Sequence, residues 1–191
     1  IYIDRARSGS ERLNNIVARM SEASRLEQSV TKEVLREFNL QQLLIDIIPV
    51  YRDIYSDVEF DTDINNEAIM INGSQDLIVQ MLDKLLGNAV DFHQIGTPIF
   101  IALRLSKQEK NTKFVQIIIR NNGVGLQEEG QQQLFQPMVS IRPVTSQATV
   151  PHLGLGLYIV KLIVDKHDGK VIARNWQQGV EFCVELPITM L

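Results

Sequence analysis

The chain has 191 residues, 45% of them hydrophobic and 22% charged, enough apolar sequence to bury a core and too much for a disordered segment. Its formal net charge of -4 offers no general attraction to nucleic-acid phosphates or anionic lipid, so nucleic acid is not expected as a partner. No stretch approaches the ~20 apolar residues of a membrane span and no signal peptide opens the chain; the single cysteine, Cys183, lies in an alternating run and reads as a sheet residue in a reducing compartment.

In chain order, apolar residues recur at Ile3, Ala6, Leu13, Val17 and Met20 among charged positions. That pattern predicts one long amphipathic helix to about Gln28, with a narrow coiled-coil-like seam that needs a partner helix. The chain opens inside this pattern and so reads as part of something longer. Ser29 to Thr31 break the pattern, which predicts a helical segment over 1–30 and a second domain over 31–191. A short strand at Val34 to Phe38 follows, then a helix from Leu40 to about Tyr55 with Asn39 as its N-cap and Pro49 expected to kink it. Val58 to Ile64 and Ala68 to Ile71 read as two strands joined by an Asn65-Asn66 turn, and Asn72-Gly73-Ser74 starts a helix to about Phe92.

Pro98 to Leu105 and Phe114 to Arg120 are strands separated by a polar turn at Lys107 to Lys113. About thirty residues from Asn121 to Leu153 carry no regular pattern, a length that a compact domain keeps for a functional reason. A helix from Gly154 to His167, stopped by Asp168-Gly169, and strands Lys170 to Asn175 and Val180 to Leu186 complete the order. The expected fold class is α/β, a two-layer α/β sandwich with a mixed sheet and helices on one face, preceded by the long N-terminal helix.

Four segments carry chemistry. Gly154-Leu155-Gly156-Leu157 enters an apolar helix, where free backbone N–H groups at the positive end of the helix dipole suit a phosphate. On the helix ending at Phe92, Ile78, Met81, Leu82, Leu85 and Ala89 form a buried stripe, while Lys84, Asn88 and Asp91 share another face. Alone, Asn88 is an ordinary solvated residue; beside a phosphate site its amide oxygen is a hard ligand suited to Mg²⁺. Asn121-Asn122-Gly123-Val124-Gly125 closes a strand with glycines that permit a sharp turn against a flat ligand. Leu134-Phe135-Gln136-Pro137-Met138 is a hydrophobic anchor within the irregular segment.

In this order the four segments resemble the N, G1, F and G2 boxes of the GHKL ATP-binding superfamily, whose fold is the Bergerat fold. Within it they are most similar to the catalytic domain of bacterial sensor histidine kinases, over about residues 34 to 188. The N-terminal helix resembles the second helix of the dimerisation and phosphoacceptor domain.

The resemblance implies an ATP-dependent protein-histidine kinase of a two-component system, with ATP and Mg²⁺ as cofactors. Asn88 would bind Mg²⁺, Phe92 would line the nucleotide site, and Asn121 would accept a hydrogen bond from the adenine amino group beside Gly123 and Gly125. Gly154, Leu155, Gly156 and Leu157 would face the phosphates, and Arg142 would reach the triphosphate. The implied partners are the protein's own dimerisation domain, which would carry the acceptor histidine, a response regulator, and a second copy in a homodimer. The implied location is cytoplasmic, as part of an inner-membrane sensor.

Departures from the family pattern fall at Lys84, Asp91, Asn121 and His152. Asn121 stands where an aspartate is usual; it keeps an acceptor oxygen without the charge, so an aspartate there is expected to tighten ATP binding and leave GTP unaffected. Lys84 stands where gyrase-like ATPases place the glutamate that activates water, which disfavours hydrolysis against phosphotransfer. The alternatives are a regulatory module that binds nucleotide without efficient transfer, and a GHKL ATPase. His93, His152 and His167 read as structural or surface residues, and Trp176 as a packing residue.

Overall fold

The computed structural model describes residues 17–18, 20–107, 113–127, 133–137 and 155–189. Within them the order is α1 (20–32), β1 (Arg36–Asn39), α2 (Leu40–Ile54), β2 (Phe60–Ile64), β3 (Met70–Gly73), α3 (Gln75–Phe92), β4 (Ile99–Lys107), β5 (Lys113–Asn122), α4 (Gly156–Lys166), β6 (Lys170–Trp176) and β7 (Gly179–Pro187). The main sheet runs β2-β4-β5-β7-β6, with β2 parallel to β4 and the remaining pairs antiparallel. β1 and β3 form a separate antiparallel pair.

Strict alternation along β4, β5 and β7 sends Ile101, Leu103, Ile117, Ile119, Phe182 and Val184 to the helix side, where they meet Ile78, Met81, Leu82, Leu85 and Ala89 of α3 and Ile159, Val160, Ile163 and Val164 of α4 in one buried core. This is the expected two-layer α/β sandwich with a mixed sheet. The opposite face carries a smaller buried cluster of Ala102, Ile118 and Cys183, with Phe100 packed against it. Burial there pushes the Cys183 thiol up to about 11. Beside it the fully buried Glu181 accepts from Arg120 and from Arg174, the latter at 2.6 Å. The Arg120 guanidinium lies 4.4 Å from the ring centre of Trp176, so that ring packs beneath a cation.

Local signals place the helix starts. The Asn39 side-chain oxygen accepts from Gln41 N at 3.1 Å and Gln42 N at 3.3 Å, the capping role expected for it. Ser74 accepts from Leu77 N at 3.3 Å and starts α3. Pro49 lies inside α2, which is assigned continuously to Ile54. At the end of α4, Asp168 takes the left-handed conformation (φ 53°), and Gly169 N donates to Val164 O at 2.9 Å, giving the helix stop expected from Asp168-Gly169.

Three expectations need correction. The helix does not break at Ser29–Thr31: α1 continues to residue 32, because Ala23, Leu26 and Val30 continue a helical face that packs inward, with Val30 4% exposed. Its contacts with α4 include Tyr158 donating to Glu27 and Lys166 Nζ donating to Thr31 O at 2.9 Å. Burial and the Glu27 contact push the Tyr158 hydroxyl up to about 12. Secondly, β2 and β3 are not a hairpin. Asn39 Oδ1 also accepts from Ile69 N at 3.2 Å and Leu40 N donates to Ile69 O at 2.8 Å, which draws β3 to β1, while β2 joins β4. Asn65 instead accepts from Glu67 N within the connection. Thirdly, the first strand begins at Arg36, not Val34.

Candidate functional site

α3 is fixed on two sides before it presents any polar group. Its apolar stripe faces the sheet, and Tyr51 of α2 donates from its hydroxyl to Asp83 Oδ1 at 2.6 Å. Burial, reinforced by that carboxylate, raises the Tyr51 pKa. Asp83 therefore faces α2 and is engaged there. On the remaining face Lys84 and Asp91 are exposed and Asn88 is half-buried. Asn88 makes no side-chain hydrogen bond among the described residues.

At the C-terminal end of α3 the chain is stitched to the end of β5. His93 forms an isolated bridge with Gly123, and Gln94 N donates to Asn122 O at 2.6 Å. Gly123 has φ 148°, and a Cβ there would lie 2.0 Å from the Phe92 carbonyl oxygen, so both conformation and contact require glycine. Phe92, half-buried, closes α3 at this junction.

Asn121 sits one residue before the turn, on the helix-facing side of β5, and is 3% exposed. Its Nδ2 donates to the carbonyls of Phe92 at 3.3 Å and Asn122 at 3.2 Å. Two carbonyl acceptors on one side of the amide fix its orientation, because only the nitrogen can donate to them. The Oδ1 is left with no hydrogen-bond donor among the described residues. A buried acceptor without a partner costs about 1–3 kcal/mol and suits a ligand that donates.

Gly125 meets a different constraint. A Cβ at 125 would lie 3.0 Å from Asn175 Oδ1, and that oxygen accepts from Leu126 N at 2.6 Å while Asn175 Nδ2 donates to Leu126 O at 2.9 Å. Nothing in the sequence marks Asn175, since its partner is distant along the chain and is main chain rather than side chain.

α4 begins at Gly156, with the 4% exposed Leu155 at the N-cap position and no side-chain hydrogen bond capping the helix among the described residues. Ile159 N already donates to Leu155 O, which leaves the N–H groups of Gly156, Leu157 and Tyr158 without helical partners. A Cβ at Gly156 would meet nothing within 4 Å among the described residues, so their packing does not demand glycine there and they leave these donors uncovered. Leu157 is half-buried against the core, α4 packs beside α3, and Leu134 is buried near Phe135, which also packs on the core.

The structure thus joins Phe92, Asn121 and Gly123 at one junction, sets Asn88 one turn back along α3, and brings Gly125 against Asn175. Arg142, Gly154, His152 and Met138 lie outside the described residues. His167, read as structural, is 3% exposed: its Nδ1–H donates to Ile163 O at 2.6 Å and its Nε2 accepts from Ser74 N at 3.0 Å, tying the end of α4 to the start of α3. Gly73 leaves room for that ring, since a Cβ would lie 2.7 Å from His167 Cδ2.

Residues 73–190 match the family described as histidine kinase-, DNA gyrase B-, and HSP90-like ATPase. Among curated proteins the chain is 27% identical, over 96% of its length, to the autoinducer 2 sensor kinase/phosphatase LuxQ of Vibrio cholerae, of which it covers 22%. Across the first curated relatives it spans 22% to 42% of their length. A solved catalytic domain of the histidine kinase ThkA is 25% identical with a TM-score of 0.66, covering 83% of this chain and 100% of that one. Full-length ShkA, solved in complex with AMPPNP, is 22% identical with a TM-score of 0.68, covering 100% of this chain and 39% of that one, a likeness of fold. No helix among the described residues is long and apolar enough to cross a membrane.

Proposed function

The chain belongs to the histidine kinase-, DNA gyrase B-, and HSP90-like ATPase family, and from that premise we propose that it is the nucleotide-binding catalytic part of a two-component sensor histidine kinase. In this reading it binds ATP with Mg²⁺ and transfers the γ-phosphate to a histidine on a dimerisation domain. The observation that carries it is the Oδ1 of buried Asn121, an acceptor with no donor among the described residues, beside the end of α3 where it suits an exocyclic amino group such as that of adenine.

The other residues have separable tasks. The N–H groups of Gly156, Leu157 and Tyr158 at the start of α4, which no side chain among the described residues caps, meet phosphate oxygens. Phe92 lines the base site, Gly154 and Leu155 lead into the phosphate site, and Arg142 supplies a guanidinium to the triphosphate. Asn88 suits Mg²⁺: it offers one hard oxygen with no hydrogen bond among the described residues, and those residues hold no cluster of three acidic, His or Cys side chains that would cage a cation alone. That donor set fits an ion that completes its shell with phosphate oxygens and water. When bound, Mg²⁺ supplies neutralisation of phosphate charge. The chain itself contributes positioning, and the nucleophile is an imidazole brought by the dimerisation domain. Lys84, exposed on the face that carries Asn88, is no base for water while protonated.

The reading extends to the whole protein as a division into a dimerisation and phosphoacceptor segment over 1–30 and an ATP-binding domain over 31–191. It also includes a homodimer built on that N-terminal helix, whose Val17 and Met20 are exposed at 64% and 58%, a response regulator as phosphoryl recipient, and a cytoplasmic location at the inner membrane. The test mixes the chain with the parent protein's intact dimerisation domain and γ-labelled ATP. Acid-labile, alkali-stable label on the added domain is expected; label on this chain alone would contradict the assignment of the acceptor to the other domain. Confirmed ATP binding and docking without any transfer would favour a regulatory module.

A further inference from the structure

Asn121 and Asn175 flank Val180 in one cross-strand row: Asn121 of β5 and Asn175 of β6 are each paired with Val180 of β7. All three therefore point to the same side of the sheet, the helix side that carries the candidate base site. From Asn121 the chain leaves β5 and turns at Gly123, whose N–H donates to Gln178 O at 2.8 Å over the β6–β7 hairpin. It then reaches β6, where the Asn175 amide takes both main-chain groups of Leu126.

The geometry points to Asn175 as a positioning residue that fixes the Gly123–Leu126 turn and so holds Asn121 in register for the base. The side-chain amide does for Leu126 what a neighbouring strand would do, accepting from its N–H and donating to its C=O. Only a primary amide offers both functions in that plane: aspartate loses the donor, and serine has a single oxygen for both bonds. The pairing also assigns a reason to Gly125. A Cβ 3.0 Å from the Asn175 Oδ1 would require that oxygen to give by a few tenths of an ångström, which strains the two hydrogen bonds that hold the exposed side chain in place. Gly125 is thus matched to Asn175 rather than to a ligand, and the two positions form one device.

The inference rests on the nucleotide reading for its functional readout but not for its structural one. ATP affinity, melting temperature and amide exchange are measured for the wild type, Asn175→Ala, Asn175→Asp, Gly125→Ala and the Gly125→Ala/Asn175→Ala double variant. Asn175→Ala is expected to raise the ATP Kd about fivefold and to speed exchange of the Leu126 amide by about tenfold or more, with the β5–β7 ladder unchanged. Asn175→Asp keeps the acceptor for Leu126 N–H, and its exchange should stay slow. Gly125→Ala should weaken ATP binding when Asn175 is present and change Kd by less than about twofold when it is absent. An Asn175→Ala Kd equal to the wild type's, or an equal Gly125→Ala penalty in both backgrounds, overturns the assignment. Should the wild type itself not bind ATP, the nucleotide reading fails, and the pin is decided by Leu126 exchange and by coupling of the two substitutions in melting temperature.

Discussion

Replacing Asn121 with aspartate separates what residue identity suggests from what its surroundings impose. On identity alone a carboxylate gains a charge-assisted bond to the adenine amino group, about 1 kcal/mol over the neutral one. The surroundings act against it. Asn121 Nδ2 now donates to the Phe92 and Asn122 carbonyls at 3.3 and 3.2 Å, long bonds that together contribute about 1–2 kcal/mol. In aspartate an oxygen would face both carbonyls, and at 3% exposure the desolvated charge would cost about 1–3 kcal/mol more. These costs fall on the folded protein, and a carboxylate turned away from the two carbonyls no longer aims an oxygen at the base, so the charge-assisted gain is not realised. Asn121→Asp is expected to destabilise the nucleotide-free protein by roughly 2–5 kcal/mol at pH 7.5, lowering its melting temperature by roughly 4–20 °C, and to bind ATP no more tightly. The new carboxyl would have its pKa raised in the fold, so the folded state binds the extra proton: the deficit should be smallest near pH 4 and grow as pH rises. Melting curves from pH 4 to 8 with calorimetric titration of ATP and GTP decide it. A variant that melts with the wild type at pH 7.5 and binds ATP more tightly would refute the amide orientation and restore the simpler expectation.

Asn88→Ala should weaken Mg²⁺-dependent ATP binding by about tenfold or more, roughly 1.4 kcal/mol, while leaving the ligand-free melting temperature in place, because its amide makes no side-chain hydrogen bond among the described residues; equal Mg²⁺-ATP affinity in titration calorimetry would remove it from the metal site. Burial lowers the His167 pKa below its ordinary 6.5, with the Ile163 bond opposing, so the unfolded chain takes up the proton first and stability should fall as pH drops below about 6.5. His167→Gln, which cannot titrate, should flatten that part of the melting profile; parallel acid limbs would show that His167 is not responsible.

The amino-acid sequence determined the features set within a few residues. Asn39 and Ser74 cap helices because a short side chain meets N–H groups two or three positions on, and the α3 stripe repeats with the helical period. The strands of the main sheet show in their alternation, and the four segments that resemble nucleotide-binding boxes show in their glycines and polar residues. Tertiary structure alone decided which strands pair and which polar atoms are left over. β3 leaves β2 for β1 because Asn39 holds both a helix start and Ile69, thirty positions away, a choice that no turn signal at Asn65-Asn66 contains. α1 runs past Ser29 because Val30 finds an apolar surface on the folded domain, although Ala23, Leu26 and Val30 already carried the helical spacing. Asn121 becomes a one-sided acceptor, and Asn175 a pin, only when distant main-chain carbonyls and amides arrive beside them. A side-chain amide can donate or accept, and its neighbours in space, not in sequence, choose which.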